Sequence, residues 1–125
     1  MEPIILKGKI VHGKALGRTV GMPTANLQVE EGVLPEDGVY ATRMLVGDEK
    51  FISVTNIGAR PTIDQEAYIT VETYIIDFDR DIYGESVALE VCKYLRPVRQ
   101  FANLQEVQKQ VQTDVRTAQD YFNAL

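Results

Sequence analysis

The chain has 125 residues, 45% of them hydrophobic and 25% charged, which is the length of one domain and the balance of an ordinary globular protein. Its net charge of −5 argues against a nucleic-acid binder, which normally shows a basic face, yet leaves room for a small anion held by a local arginine and loop amides. A single cysteine, Cys92, forbids an internal disulfide, and neither a signal peptide nor an apolar run near the ~20 residues of a membrane span is present, so a cytoplasmic protein is expected.

Ile4 to Val11 alternates imperfectly and reads as a first strand. Gly8-Lys-Ile-Val-His-Gly13-Lys14 imitates the start of a Walker A loop, but Ala15 stands where Ser or Thr must ligate magnesium, and the segment opens inside a strand. That reading is rejected. His12, the only histidine, is expected to be a partly buried structural residue.

The stretch Gly13-Lys-Ala-Leu-Gly17-Arg18-Thr-Val-Gly21-Met-Pro23-Thr24-Ala-Asn26 organises the rest of the chain. Its glycines permit positive φ and close approach to a ligand, and Arg18 supplies a forked cation among them. Backbone N–H groups and a guanidinium in one loop suit a polyphosphate, although the same residues also make an ordinary turn. Beyond Pro23 the chain extends, and alternation puts the Thr24 hydroxyl and the Asn26 amide on one side. Two neutral oxygen ligands beside a phosphate loop suit a magnesium ion carried in on a nucleotide.

Ala25 to Val29 is a short extended segment, and residues 30–38 form a turn-rich loop. Val39 to Val46 is a strand, Gly47-Asp48 a tight connection, and Phe51 to Ile57 the returning strand of a hairpin, broken by Gly58-Ala-Arg-Pro-Thr62. Tyr68 to Phe78 is the longest strand candidate. It puts Glu72, Tyr74, Ile76 and Phe78 on one face and Ile69, Val71, Thr73 and Ile75 on the other. Asp79-Arg-Asp81 reads as a turn and Val87 to Tyr94 as a further strand, whose alternating apolar surroundings make Cys92 a buried structural thiol. The period then changes. Leu104, Val107, Val111, Val115, Ala118 and Phe122 mark an amphipathic helix, with Asn103 as its cap, Glu106 completing a capping box, and no chemistry on its polar face. About six strands followed by one helix, without βαβ alternation, indicate a mainly β chain: an antiparallel sheet or barrel with a C-terminal helix.

His12-Gly13, Gly17-Arg18, Gly21-Met-Pro-Thr-Ala-Asn26, Gly38-Val-Tyr-Ala41, Asn56-Ile-Gly-Ala-Arg-Pro-Thr62, Glu72, Tyr83-Gly84 and Leu95-Arg-Pro97 resemble, in order, the riboflavin kinase family. The match runs from about Gly8 to Phe122, and Gly-x-Pro-Thr-Ala-Asn is its most specific part. The resemblance implies a single kinase domain over residues 1–125, folded as a six-stranded antiparallel Greek-key barrel with a C-terminal helix. It implies transfer of the γ-phosphoryl of ATP to the ribityl 5′-hydroxyl of riboflavin, giving FMN. Glu72 would be the catalytic base. Gly13, Gly17, Arg18, Thr24, Asn26 and Tyr83 would bind ATP, with Thr24 and Asn26 also holding Mg2+ or another divalent cation and Tyr83 lying against the adenine. Arg96 and Phe101 would contact the flavin. Phosphoryl transfer passes through a loose transition state, so positioning and charge neutralisation dominate, while the alcohol still needs somewhere to send its proton.

Two departures stand out. Val98 and Arg99 follow Leu95-Arg-Pro97 where the family commonly has Glu, which leaves Arg96 and Phe101 the least secure positions. Many bacterial relatives also carry an adenylyltransferase module before the kinase, whereas this chain begins where the kinase begins, as a stand-alone enzyme or an excised domain would. Two other classes are weighed. A non-catalytic flavin- or nucleotide-binding barrel should have lost Glu72 or Thr24, and both are present. A barrel that binds oligonucleotides should show a basic stripe with interleaved aromatics, and the 13 basic residues are spread along the chain. The expected partners are thus ATP and riboflavin, with no nucleic acid, no membrane and a monomeric state.

Overall fold

Period-two alternation, rich in Val, Ile, Thr and Tyr, produces six strands in a computed structural model of the chain, which describes residues 3–11, 24–60 and 68–125. They are β1 (Ile4–Val11), β2 (Ala25–Glu31), β3 (Gly38–Val46), β4 (Glu49–Arg60), β5 (Tyr68–Ile75) and β6 (Ser86–Arg96), followed by one helix, α1 (Leu104–Asn123). All pairings are antiparallel, and the sheet closes on itself in the order β1-β2-β5-β4-β3-β6. Consecutive β3, β4 and β5 are neighbours, with β6 returning beside β3 and β2 lying beside β5, so two Greek keys overlap in one closed barrel. Every strand has a neighbour on both sides, although among the described residues the β2–β5 seam is joined in register only at Ala25–Thr73 and Asn26–Glu72.

Alternation divides each strand between two environments. Leu6, Ile10, Leu27, Met44, Ile57, Val71 and Leu89 fill the barrel, each contributing about 1.5–3 kcal/mol by leaving water. In their midst lies a polar chain that periodicity does not announce. Thr42, Ser53, Thr55 and Thr73 are 0% exposed, and their hydroxyls are joined Ser53–Thr42 at 2.7 Å, Thr42–Thr55 at 2.9 Å and Thr55–Thr73 at 2.8 Å. This ladder crosses β3, β4 and β5. A register slip of one residue would turn these hydroxyls outward and strand them without partners.

On the outside of the barrel, Val39, Ala41 and Val54 form a second apolar cluster with Ala118 of α1, flanked by Val115, Tyr121 and Phe122. Asn103 caps the helix, its side-chain oxygen accepting from the Glu106 N–H at 2.9 Å. The capping box is modified: the Glu106 carboxylate accepts from the Ala102 N–H at 3.0 Å, one residue before the cap.

Several boundaries differ from the sequence expectation. β4 does not break at Gly58 but runs on to Arg60, because Gly58 and Ala59 pair with Thr70 and Ile69 of β5. β5 stops at Ile75 rather than Phe78, since Asp77 adopts φ 54°, a left-handed conformation that a strand cannot continue through. β2 and β6 extend two residues further, to Glu31 and Arg96. The β3–β4 hairpin is as expected, with Gly47 at φ 60° in its two-residue turn. Gly8 serves a different purpose: a Cβ there would lie 1.9 Å from the Gln28 carbonyl oxygen, beside a register shift in the β1–β2 ladder. Cys92 is half-buried, and burial pushes its thiol above the ordinary value.

Candidate active site

The register of the closed barrel lines up one row of residues across five strands. Asn26 pairs with Glu72, Glu72 with Asn56, Asn56 with Val39, and Val39 with Arg96. Alternation points this row away from the barrel interior, since its chain neighbours Leu27, Val71, Thr73, Thr55, Ile57 and Tyr40 are the ones buried inside, whereas Val39 of the row is buried against the helix. The row is therefore set by strand pairing. It lies on the barrel's outer face, where the helix packs.

Between the sheet and the helix is a cavity of about 80 Å³. Thr24, Asn56, Glu72 and Tyr74 give it a polar wall, and Val39, Val54 and Val111 an apolar one. Arg96 and Asp114 complete its lining. Thr24 immediately precedes β2, two residues from Asn26, so the two side chains share a side of the extended backbone. Of the sequence-predicted residues, Thr24, Glu72 and Arg96 meet in this cavity, and Asn26 adjoins it as the register partner of Glu72.

The others lie elsewhere. Gly13, Gly17 and Arg18, together with His12, fall outside the described residues. Tyr83 is 55% exposed in the loop between β5 and β6 and does not line the cavity. Its N–H donates to Asp81 Oδ1 at 3.0 Å, and the N–H of Gly84 donates to the Ile10 carbonyl at 2.8 Å. Ile10 adjoins Val11, the register partner of Asn26, so the Tyr83 loop is tied to the same end of β1. Phe101 is half-buried beneath two guanidinium groups, Arg96 at 5.8 Å and Arg99 at 4.8 Å from its centroid. The competing acidic residues sit apart. Glu90 faces its register partner Arg43 at 3.2 Å, and Asp77, Asp79 and Asp81 follow β5 in a loop away from the cavity.

Sequence reasoning missed Asp114. It is 4% exposed, and its carboxylate accepts from Arg96 Nε at 3.0 Å and Arg96 Nη2 at 2.8 Å, a bidentate pair joining β6 to α1. Gln110 Nε2 donates to the same carboxylate at 3.1 Å, and Arg96 Nη1 donates to the Pro97 carbonyl at 3.1 Å. The clue was in the spacing. Asp114 follows Val111 by three and precedes Ala118 by four, which puts a carboxylate on the apolar stripe of the helix, where it requires a cation. The helix therefore does contribute polar groups to the site, from its packed face rather than its solvent face.

Chemically, the arrangement offers two carboxylates: Asp114, committed to Arg96, and Glu72, flanked in register by the amide side chains of Asn26 and Asn56, with a hydroxyl at Thr24. Among the described residues no three His, Cys, Asp or Glu side chains gather as a metal cluster. The oxygen donors are instead mostly neutral, a set suited to a hard cation that brings its own anionic ligands. No helix of the described residues is long and apolar enough to cross a membrane.

Comparison with known proteins agrees with this fold and identifies the family. The family model described as flavokinase, riboflavin kinase, matches residues 1–122. A bifunctional riboflavin kinase/FMN adenylyltransferase of Haemophilus influenzae is 38% identical over 124 residues, covering 98% of this chain and 40% of that protein. The chain thus spans about two-fifths of the length of the curated relatives it matches first. A solved structure titled as a macrolide-efflux protein from Streptococcus pneumoniae superposes with a TM-score of 0.85 at 32% identity, over 94% of this chain and 38% of that one. The crystal structure of riboflavin kinase from Trypanosoma brucei shares the fold, with a TM-score of 0.65 at 24% identity over 98% of this chain and 82% of its own. A match to the family model over nearly every residue, on a barrel whose register brings Thr24, Asn26 and Glu72 to one place, establishes that the chain belongs to the riboflavin kinase family.

Proposed function

We propose that this chain transfers the γ-phosphoryl group of ATP to the ribityl 5′-hydroxyl of riboflavin, yielding FMN and ADP. The observation that carries the reading is the place of Glu72, which lines the cavity and lies in register between Asn26 and Asn56. A carboxylate among neutral donors is well placed to accept the hydroxyl proton as the new O–P bond forms, and the proton lost from the alcohol then resides on Glu72. The transition state is loose, so the base acts late and alignment counts for more than basic strength.

Thr24 and Asn26 would hold a magnesium ion through their side-chain oxygens. When bound, that ion neutralises charge on the phosphates. Arg18 and the amides around Gly13 and Gly17 would bind the same phosphates, and Tyr83 would lie against the adenine. The apolar wall of Val39, Val54 and Val111 suits the flavin end of the acceptor, with Arg96 and Phe101 beside it. These partners are small molecules, and a monomer in a reducing cytoplasm fits the lone thiol. Incubation with riboflavin, ATP and magnesium, followed by chromatography, tests the reading through the appearance of FMN.

A further inference from the structure

Different forces hold the two halves of α1. The C-terminal half has apolar partners: Ala118 is fully buried with Val39, Ala41 and Val54, and Val115, Tyr121 and Phe122 pack around it. Between Leu104 and Thr113 no residue of the helix is buried. Yet that half carries Val111, part of the cavity wall. Its strongest tie to the barrel is Asp114, at the junction of the two halves, through the bidentate pair with Arg96 and the added bond from Gln110. The Arg99–Gln110 bond at 3.2 Å is exposed and adds little.

Buried ion pairs are poor sources of stability, because desolvating both charges offsets their attraction. Apolar residues would dock the helix at least as well. Their value is geometric: a fork-on-carboxylate pair has one good orientation. We propose that Asp114 is a positioning residue for the acceptor substrate, holding Arg96 and thereby fixing the N-terminal half of α1 as a wall of the cavity that Glu72 also lines. This rests on the kinase reading, and it separates the placing of riboflavin from the binding of nucleotide. All three guanidinium nitrogens of Arg96 donate within the chain, so Arg96 acts in this arrangement as a fixed strut between β6 and α1.

The test compares Asp114→Asn with Val115→Ala, a packing change in the same helix away from the ion pair. Asn keeps the shape of Asp but turns an amide N–H toward the guanidinium and loses one arm of the pair. Riboflavin binding by fluorescence quenching, nucleotide binding by calorimetry and melting temperature are measured for each. Asp114→Asn is expected to weaken riboflavin binding at least tenfold with nucleotide binding within twofold. Val115→Ala is expected to lower the melting temperature while riboflavin binding stays within twofold. Should Asp114→Asn fail to fold, Gln110→Ala removes one orienting bond without leaving a charge behind, and a threefold or greater loss of riboflavin affinity is expected. Unchanged riboflavin binding in the folded variant, or an equal loss in Val115→Ala, overturns the inference alone. A parent protein that neither binds riboflavin nor forms FMN overturns the kinase reading and this inference with it.

Discussion

Asn26 and Glu72 stand directly opposite each other across the seam that closes the barrel, and among the described residues the ladder joining β2 to β5 has one other register pair, Ala25 with Thr73. The side chain proposed to hold the metal and the side chain proposed to take the proton are thus set against each other by barrel closure. Thr73, the inward neighbour of Glu72, ends the buried hydroxyl ladder, so the register that aims Glu72 outward is fixed from the inside by Thr55.

That ladder gives the first expected outcome. Thr55→Val removes the hydroxyl that bonds both Thr42 and Thr73, with little change of volume. Two buried hydroxyls each lose a partner, at a cost of about 1–3 kcal/mol. Urea unfolding should show a lower midpoint with an unchanged slope, the mark of lost stability in an otherwise intact fold. An unchanged midpoint would mean that the ladder contributes nothing to the barrel.

Gly8→Ala tests closure from the opposite side. The added Cβ would meet backbone, the Gln28 carbonyl oxygen at 1.9 Å, which cannot rotate away. A loss of about 3 kcal/mol or more is expected, seen as a large drop in melting temperature or as insoluble protein. Gly47→Ala, whose Cβ would meet open space, should cost about 1 kcal/mol through its positive φ alone.

Thr24→Ala removes a hydroxyl from the cavity lining at the point where the chain enters β2. FMN formation should fall on the order of 10²-fold or more, with folding preserved, if the hydroxyl is a metal ligand. Assays across a magnesium titration check this, and full activity at low magnesium would remove Thr24 from the metal site.

Arg18→Ala separates the two substrates. A charge-assisted contact to phosphate is worth about 1.5–3 kcal/mol, so ATP binding should weaken accordingly. Riboflavin binding without nucleotide should change little. An effect confined to riboflavin would place the glycine loop on the other ligand.

Much of this fold is legible in the chain because period-two alternation reports directly on burial: Val71, Thr73 and Ile75 are inside and Glu72 and Tyr74 outside, as their spacing dictates. Strand ends were less legible. Gly58 looks like a breaker until its pairing with Thr70 is known, and Asp77 does not look like one until its φ is known. Contacts between distant residues were legible only as a need: the place of Asp114 on the apolar stripe calls for a cation without saying which. Asp114 and Arg96 are 18 positions apart, and nothing in either local pattern names the other. The hydroxyl ladder was hidden for a related reason, since Thr favours strands and is more often exposed than buried.

The most direct test concerns Glu72 itself. Glu72→Gln keeps size and shape but cannot accept the proton, so single-turnover FMN formation measured beside binding and a melting curve isolates the chemical step. If Glu72 is the base, turnover falls about 10²–10⁴-fold while both substrates still bind, and nucleotide affinity holds or rises slightly as a negative charge near the phosphates is removed. Turnover within about threefold of the parent, with binding intact and only the melting curve shifted, would contradict it.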